Sequence, residues 1–131
     1  NPYISLPGSR SAVTAACLAV RRDAFDRVSG FDEQFAVALN DIDFCLRLRT
    51  AGYRNLYRGD VVLTHFESQS RGPDTASVES RRRLTRETRL FLDRWSSQIA
   101  DDPYSSPAFD PTSEKGHVHP AAWSRVPYQP I

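Results

Sequence analysis

The stretch over residues 40–52 does most to limit what this chain can fold into. Asn40 is a residue type that caps helix N-termini, and Gly52 is one that ends helices, because glycine takes up the left-handed turn without a Cβ clash. Between them Ile42, Cys45, Leu46 and Arg49 trace one face and Phe44 with Leu48 another, so the spacing predicts a helix. Upstream, Ala24, Phe25 and Val28 fall at helical spacing, and Ser29-Gly30 stops that shorter helix. The connection between the two, Phe31-Asp32-Glu33-Gln34-Phe35, reads as a loop with an aromatic anchor at each end.

The flanking segments are read in the same way. The run Val13-Thr14-Ala15-Ala16-Cys17-Leu18-Ala19-Val20 is small, apolar and partly β-branched, which predicts a strand covered on both faces, as in an α/β sheet. Residues 53–57 and 61–65 read as short strands around the turn Arg58-Gly59-Asp60. A long helix is expected over residues 76–96, with Leu84, Thr88, Phe91, Leu92 and Trp95 on one stripe and Arg81, Arg82, Arg83, Arg86 and Arg89 on the opposite face. Residues 1–11 read as an entering loop and residues 67–74 as a connection. Residues 101–131 are Pro-, Ser- and Asp-rich without a period, the mark of an irregular tail. The expected fold is therefore α/β: part of a sheet flanked by helices over residues 1–100, followed by that tail.

A chain of 131 residues is long enough for one compact domain with a real core. Its 17 basic and 16 acidic side chains leave a net charge of +1, so no global field draws in DNA or anionic lipid, and any such partner needs a local patch. The Arg81 to Arg89 face is accordingly read as a solvated helix face rather than a nucleic-acid site. The longest apolar run, residues 12–20, is about half of the roughly 20 residues a membrane helix needs, which points to a soluble chain. Cys17 and Cys45 both sit in apolar segments and are expected to be buried, reduced thiols in a cytoplasmic protein. The sequence contains no methionine and opens on Asn1, from which a piece of a longer chain is expected.

Acids, glycines and a helix start are concentrated around residues 29–53. In the first turn of the expected helix Asp41 meets free backbone N–H groups and the positive end of the helix dipole, which stabilise a carboxylate, the form in which it can accept a proton. By itself an acid in this place is more commonly a cap than a base. His65, flanked by apolar residues, is by itself a structural histidine. His117-Val118-His119 puts two imidazoles on one side of an extended segment, but no further ligands lie near in sequence.

Taken together, Thr14, Cys17-Leu18, Arg21 or Arg22, Gly30-Phe31-Asp32-Glu33, Asn40-Asp41-Ile42-Asp43, Arg47, Ala51-Gly52-Tyr53 and His65 resemble the second half of family 2 GT-A glycosyltransferases. The bacterial members that build rhamnose-containing and other surface polysaccharides are the most similar. The phrase Asp102-Pro103-Tyr104-Ser105-Ser106-Pro107 resembles one that closes many such domains, so the match runs over residues 13–109. The resemblance implies a partial GT-A, Rossmann-like sheet completed by an N-terminal nucleotide-binding half of the same polypeptide. It implies inverting transfer of a sugar from a nucleotide-diphosphate donor to a glycan or lipid-linked acceptor, with Asp41 as the general base. Asp32, Glu33, Asn40 and Asp43 would surround the acceptor, Arg71 would clamp the donor diphosphate, and His65 would help hold a divalent cation, Mg²⁺ or Mn²⁺. Arg71 has a plain alternative as part of a solvated linker. The location implied is the cytoplasm, with the inner face of the membrane as its variant, and a cut sheet edge would let the piece self-associate.

Three positions depart from the family pattern. Ala15 follows Thr14 where glycine is common, Ser29 replaces the first of two glycines, and Asn40 replaces the glutamate of an acidic pair. The first two are tolerable provided the local backbone does not require positive φ. The third removes a charge beside Asp41 and supports an alternative function: a non-catalytic binding or scaffolding remnant of the fold. Phe91 stands where processive synthases carry glutamine in a Gln-x-x-Arg-Trp phrase, which disfavours processive synthesis.

Overall fold

The computed structural model describes residues 7–64 and 77–104. In chain order they form strand β1 (Gly8–Arg10), a 3-10 turn (Ala15–Cys17), helix α1 (Arg22–Arg27), helix α2 (Asn40–Thr50), strand β2 (Asn55–Tyr57) and helix α3 (Val78–Ala100). The two strands pair antiparallel, with Gly8 opposite Tyr57 and Arg10 opposite Asn55. The result is a small α/β structure, as expected, but its described sheet has two strands and is antiparallel.

Helix α2 is the wall shared by two apolar clusters. On one side Leu46 packs with Phe35, Phe91 and Trp95, with Leu39, Ile42 and Leu90 at the margin. On the other, Phe44 and Leu48 pack with Ala24, and Leu18, Phe25, Val28 and Tyr53 close around them. Burying each such side chain contributes about 1.5–3 kcal/mol, so a helix that feeds both clusters is the main support of the fold. The two loop aromatics anchor as predicted. Phe31 lies 4.6 Å from the Phe44 ring centre, and Phe35 is buried edge-on to Phe91.

Stops fall where the glycines indicate. At the end of α2 Gly52 takes φ 90°, and the Tyr53 N–H reaches back to the Leu48 carbonyl at 3.0 Å. At the end of α1 the Gly30 N–H donates to the Phe25 carbonyl at 2.9 Å, and both Ser29 and Gly30 have positive φ, 60° and 68°. The condition under which serine is harmless at position 29 therefore fails: a non-glycine residue in this region costs on the order of 1 kcal/mol. Gly30 is required twice over, because a Cβ there would also lie 2.7 Å from the Phe25 ring.

Several expectations are corrected. The run over residues 13–20 is a 3-10 turn with extended flanks and not a strand, because side chains of α2 take its backbone donors. The Ala15 N–H donates to Asp41 Oδ2 at 3.0 Å, and the Val13 N–H to Cys45 Sγ at 3.5 Å, while Thr14 Oγ1 caps the turn from Ala16 N–H. Cys45 is buried but Cys17 is exposed; both thiols are free. Asn40 is the first helical residue and Leu39 the cap, at φ 64°. Among the described residues, 61–64 have no strand partner, and they are exposed.

Helix α3 runs slightly past its expected end, and its inward stripe is Glu87, Phe91 and Trp95, whereas Leu92 is 49% exposed. Its start is fixed by Ser77, whose hydroxyl accepts from the Ser80 N–H at 3.0 Å. After α3 the chain folds back: Asp102 accepts from the Ser11 hydroxyl and the Tyr104 N–H, and Arg49 stacks over the Tyr104 ring at 5.3 Å. Among the described residues no helix is long and apolar enough to cross a membrane.

Candidate functional site

The acids around the start of α2 divide into one that faces outward and one that is sealed in. Asp41, in the first turn, is half-buried; its Oδ1 accepts from the Ile42 N–H at 2.9 Å and its Oδ2 from Ala15 N–H at 3.0 Å. Each carboxylate oxygen has two lone pairs, so both keep capacity for an incoming hydroxyl. The preceding residue bends inward upon it, with Asn40 Oδ1 accepting from the Asp41 N–H at 2.7 Å. Leu39 holds positive φ immediately before the pair, a conformation that tertiary contacts must enforce.

Asp43, two residues on, is 0% exposed. Its Oδ2 accepts from Arg47 Nε at 2.7 Å, and its Oδ1 from Arg94 Nη1 at 2.7 Å and Trp95 Nε1 at 2.9 Å. The same Arg94 nitrogen donates to Asp32 Oδ2 at 2.8 Å, and Arg47 Nη1 donates to the Val28 carbonyl at 2.6 Å. One buried carboxylate thus ties α2 to α3, and through the two guanidinium groups to the end of α1 and the loop over residues 31–35. Expected at the acceptor, Asp43 is instead inside the protein with both oxygens engaged, because its position on α2 faces α3.

Asp32 is shared between the two roles. Its Oδ1 accepts from the Gln34 N–H at 2.9 Å, and this bond, followed by the Arg94 contact, holds its carboxyl below the usual carboxylate range against the opposing effect of burial. Glu33 beside it is exposed. Asp32 in the loop is therefore joined through Arg94 to Asp43 on α2, while Asn40 and Asp41 stand at the start of the same helix. His65 and Arg71 lie outside the described residues, as do His117 and His119. Among the described residues no group of three or more His, Cys, Asp or Glu side chains is placed to hold a metal ion.

Sequence reasoning missed two parts of this framework. Glu87 is 0% exposed, and its Oε2 accepts from the Ala38 N–H at 2.7 Å, bracing the segment that leads into Leu39. Its spacing of four from Phe91 on the core stripe was the available signal. Trp95 was legible as part of the apolar stripe and Arg94 only as part of a motif-like phrase; their shared partner Asp43 lies 51 and 52 residues away, and nothing local marks it.

Comparison with known proteins adds names to this geometry. The chain is 42% identical over 105 residues to an uncharacterized protein of Sinorhizobium fredii, covering 79% of this chain and 11% of that protein. It is 36% identical over 100 residues to the O-antigen biosynthesis protein RfbC of Myxococcus xanthus, covering 76% of this chain and 7% of that one. With the N-acetylglucosaminyl-diphospho-decaprenol L-rhamnosyltransferase of Mycobacterium tuberculosis it shares 38% identity over 65 residues, 50% of this chain and 21% of the enzyme. No family model matches, and no solved structure does. The chain spans between 7% and 21% of the lengths of these curated relatives. These similarities support a glycosyltransferase-like family.

Proposed function

We propose that this chain is the acceptor-side part of an inverting, family 2 GT-A glycosyltransferase that uses a nucleotide-diphosphate sugar to extend a glycan or lipid-linked acceptor in cell-surface polysaccharide synthesis. The carrying observation is Asp41: a half-buried carboxylate in the first turn of α2, fixed from two sides, in a chain similar to a named rhamnosyltransferase. In the proposed step Asp41 takes the proton of the acceptor hydroxyl as that oxygen bonds to the anomeric carbon. The bond to the diphosphate oxygen breaks on the opposite face, the nucleoside diphosphate leaves with the electron pair, and the configuration inverts. A positioned base of this kind contributes about 10²- to 10⁴-fold in rate.

Asp32, Glu33 and Asn40 are assigned to the acceptor side in this proposal, of which only Asn40 is seen to contact Asp41; Asp43 serves the frame. Arg71 is the proposed diphosphate contact. A divalent cation, Mg²⁺ or Mn²⁺, with His65 as one ligand, belongs to the same proposal. The described residues do not form a cation site, so no step is assigned to the metal. The remaining donor contacts are assigned to a nucleotide-binding half of the same polypeptide, acting in the cytoplasm or at the inner face of the membrane.

The test is sugar transfer by the intact protein, with nucleotide-diphosphate sugars tried in turn, rhamnose donors first. Asp41→Asn is expected to lower kcat at least 100-fold while donor binding stays within twofold of the parent. Turnover within a few-fold of the parent would overturn Asp41 as the base. Absence of transfer in the parent protein with every donor, together with intact donor binding, would favour the remnant reading that Asn40 suggests.

A further inference from the structure

The outer face of α3 takes no part in the proposed transfer, and its chemistry is distinctive. Arg82, Arg86 and Arg89 are exposed and pair with no acid among the described residues. At 3.6 residues per turn they fall within about 60° of one another, opposite the buried Phe91. Between Ser80 and Leu92 the helix holds a single acid, Glu87, and that one is buried against Ala38. Glu79 and Asp93 flank the basic stretch at its two ends.

On the adjoining arc of the helix, aliphatic side chains alternate with Arg81, Thr85 and Ser96. Val78, Leu92 and Ile99 are 57%, 49% and 46% exposed, although each lies within a well-formed helix that buries its other side. Large aliphatic side chains on the solvent side of a helix, flanked by arginines without counter-ions, are the pattern of a helix that lies in a membrane interface. Their arginines meet anionic headgroups while the aliphatic side chains enter the boundary with the acyl region.

We infer that the outer face of α3, through Arg82, Arg86 and Arg89 with Val78, Leu92 and Ile99, docks the protein on an anionic lipid bilayer. The charge favours this occupant over further polypeptide. Burial under protein would strand three guanidinium groups unless acids met them, whereas an anionic leaflet supplies phosphates at any position along the 23-residue helix. The inference is independent of sugar transfer, and its assay contains no sugar.

The experiment is co-sedimentation of the intact protein with vesicles of phosphatidylcholine alone or with 30% phosphatidylglycerol, at low and at high salt. Binding is expected only to the anionic vesicles, and raising the salt should reverse it. Each arginine near the surface strengthens binding about fivefold, so the triple variant R82Q/R86Q/R89Q should bind roughly 100-fold more weakly. Its unfolding midpoint should match the parent, because these side chains are exposed. Leu92→Ala should weaken binding further without altering the salt dependence. Equal binding to neutral vesicles, no binding to either, or undiminished binding by the triple variant would overturn the inference. So would a loss of duplex DNA binding by the triple variant in the absence of any lipid effect.

Discussion

Replacing Asp43 by asparagine tests whether the sealed carboxylate holds the frame together. The substitution keeps shape and leaves Oδ1 to accept from Arg94 and Trp95, but it puts an amide N–H₂ where Oδ2 now receives Arg47 Nε at 2.7 Å, donor against donor. It also removes the negative charge between two guanidinium groups whose side chains are only 20% and 29% exposed. Breaking a buried ion pair typically costs about 3–5 kcal/mol. The partial exposure of both arginines lets water recover some of that, so about 3 kcal/mol is expected, a fall in Tm on the order of 10 °C. Equilibrium urea unfolding measures it, and a cycle with Arg94→Gln should show coupling of at least about 1 kcal/mol. A loss below about 1 kcal/mol, or additive single changes, would refute the assignment of Asp43 to the frame and reopen it as a surface group.

Other outcomes follow from the same coordinates. Gly30→Ala places a Cβ 2.7 Å from the Phe25 ring at φ 68°, so it should destabilise by about 2–4 kcal/mol in urea unfolding; a change under 0.5 kcal/mol would show that Phe25 moves aside freely. Asp32 has its folded pKa held below the usual carboxylate value, first by the Gln34 N–H and then by Arg94. Its contribution to stability is therefore fully present above about pH 4 and is lost as the pH falls through the lowered folded value. Asp32→Asn should flatten that acid limb of the urea midpoint, and an unchanged limb would count against the network. Burial pushes the Cys45 thiol up, with the Val13 N–H opposing, whereas Cys17 is exposed. One thiol should react promptly with Ellman's reagent under native conditions and the second only on unfolding, as mass spectrometry of the tagged peptides would show.

The sequence by itself determined the helices. Ala24, Phe25 and Val28, the alternating faces of residues 42–49 and the stripe ending at Trp95 locate α1, α2 and α3, and Gly30 and Gly52 locate two of their ends. Those signals are local: a helical period and a left-handed stop are set by contacts within a turn or two of the chain. Asp41 was legible as a helix-start carboxylate for the same reason. What became of the run over residues 13–20, of Asp43 and of Leu92 was decided only by the tertiary structure. An apolar β-branched run predicts a strand only if a neighbouring strand takes its backbone donors, and here Asp41 and Cys45, 26 and 32 residues away, take them instead. Two acids two residues apart on one helix read alike in sequence. The crossing of α3 buries Asp43 against Arg94 and Trp95 and leaves Asp41 accessible, because burial and ion pairing depend on which elements pack together and not on the residues beside them in the chain.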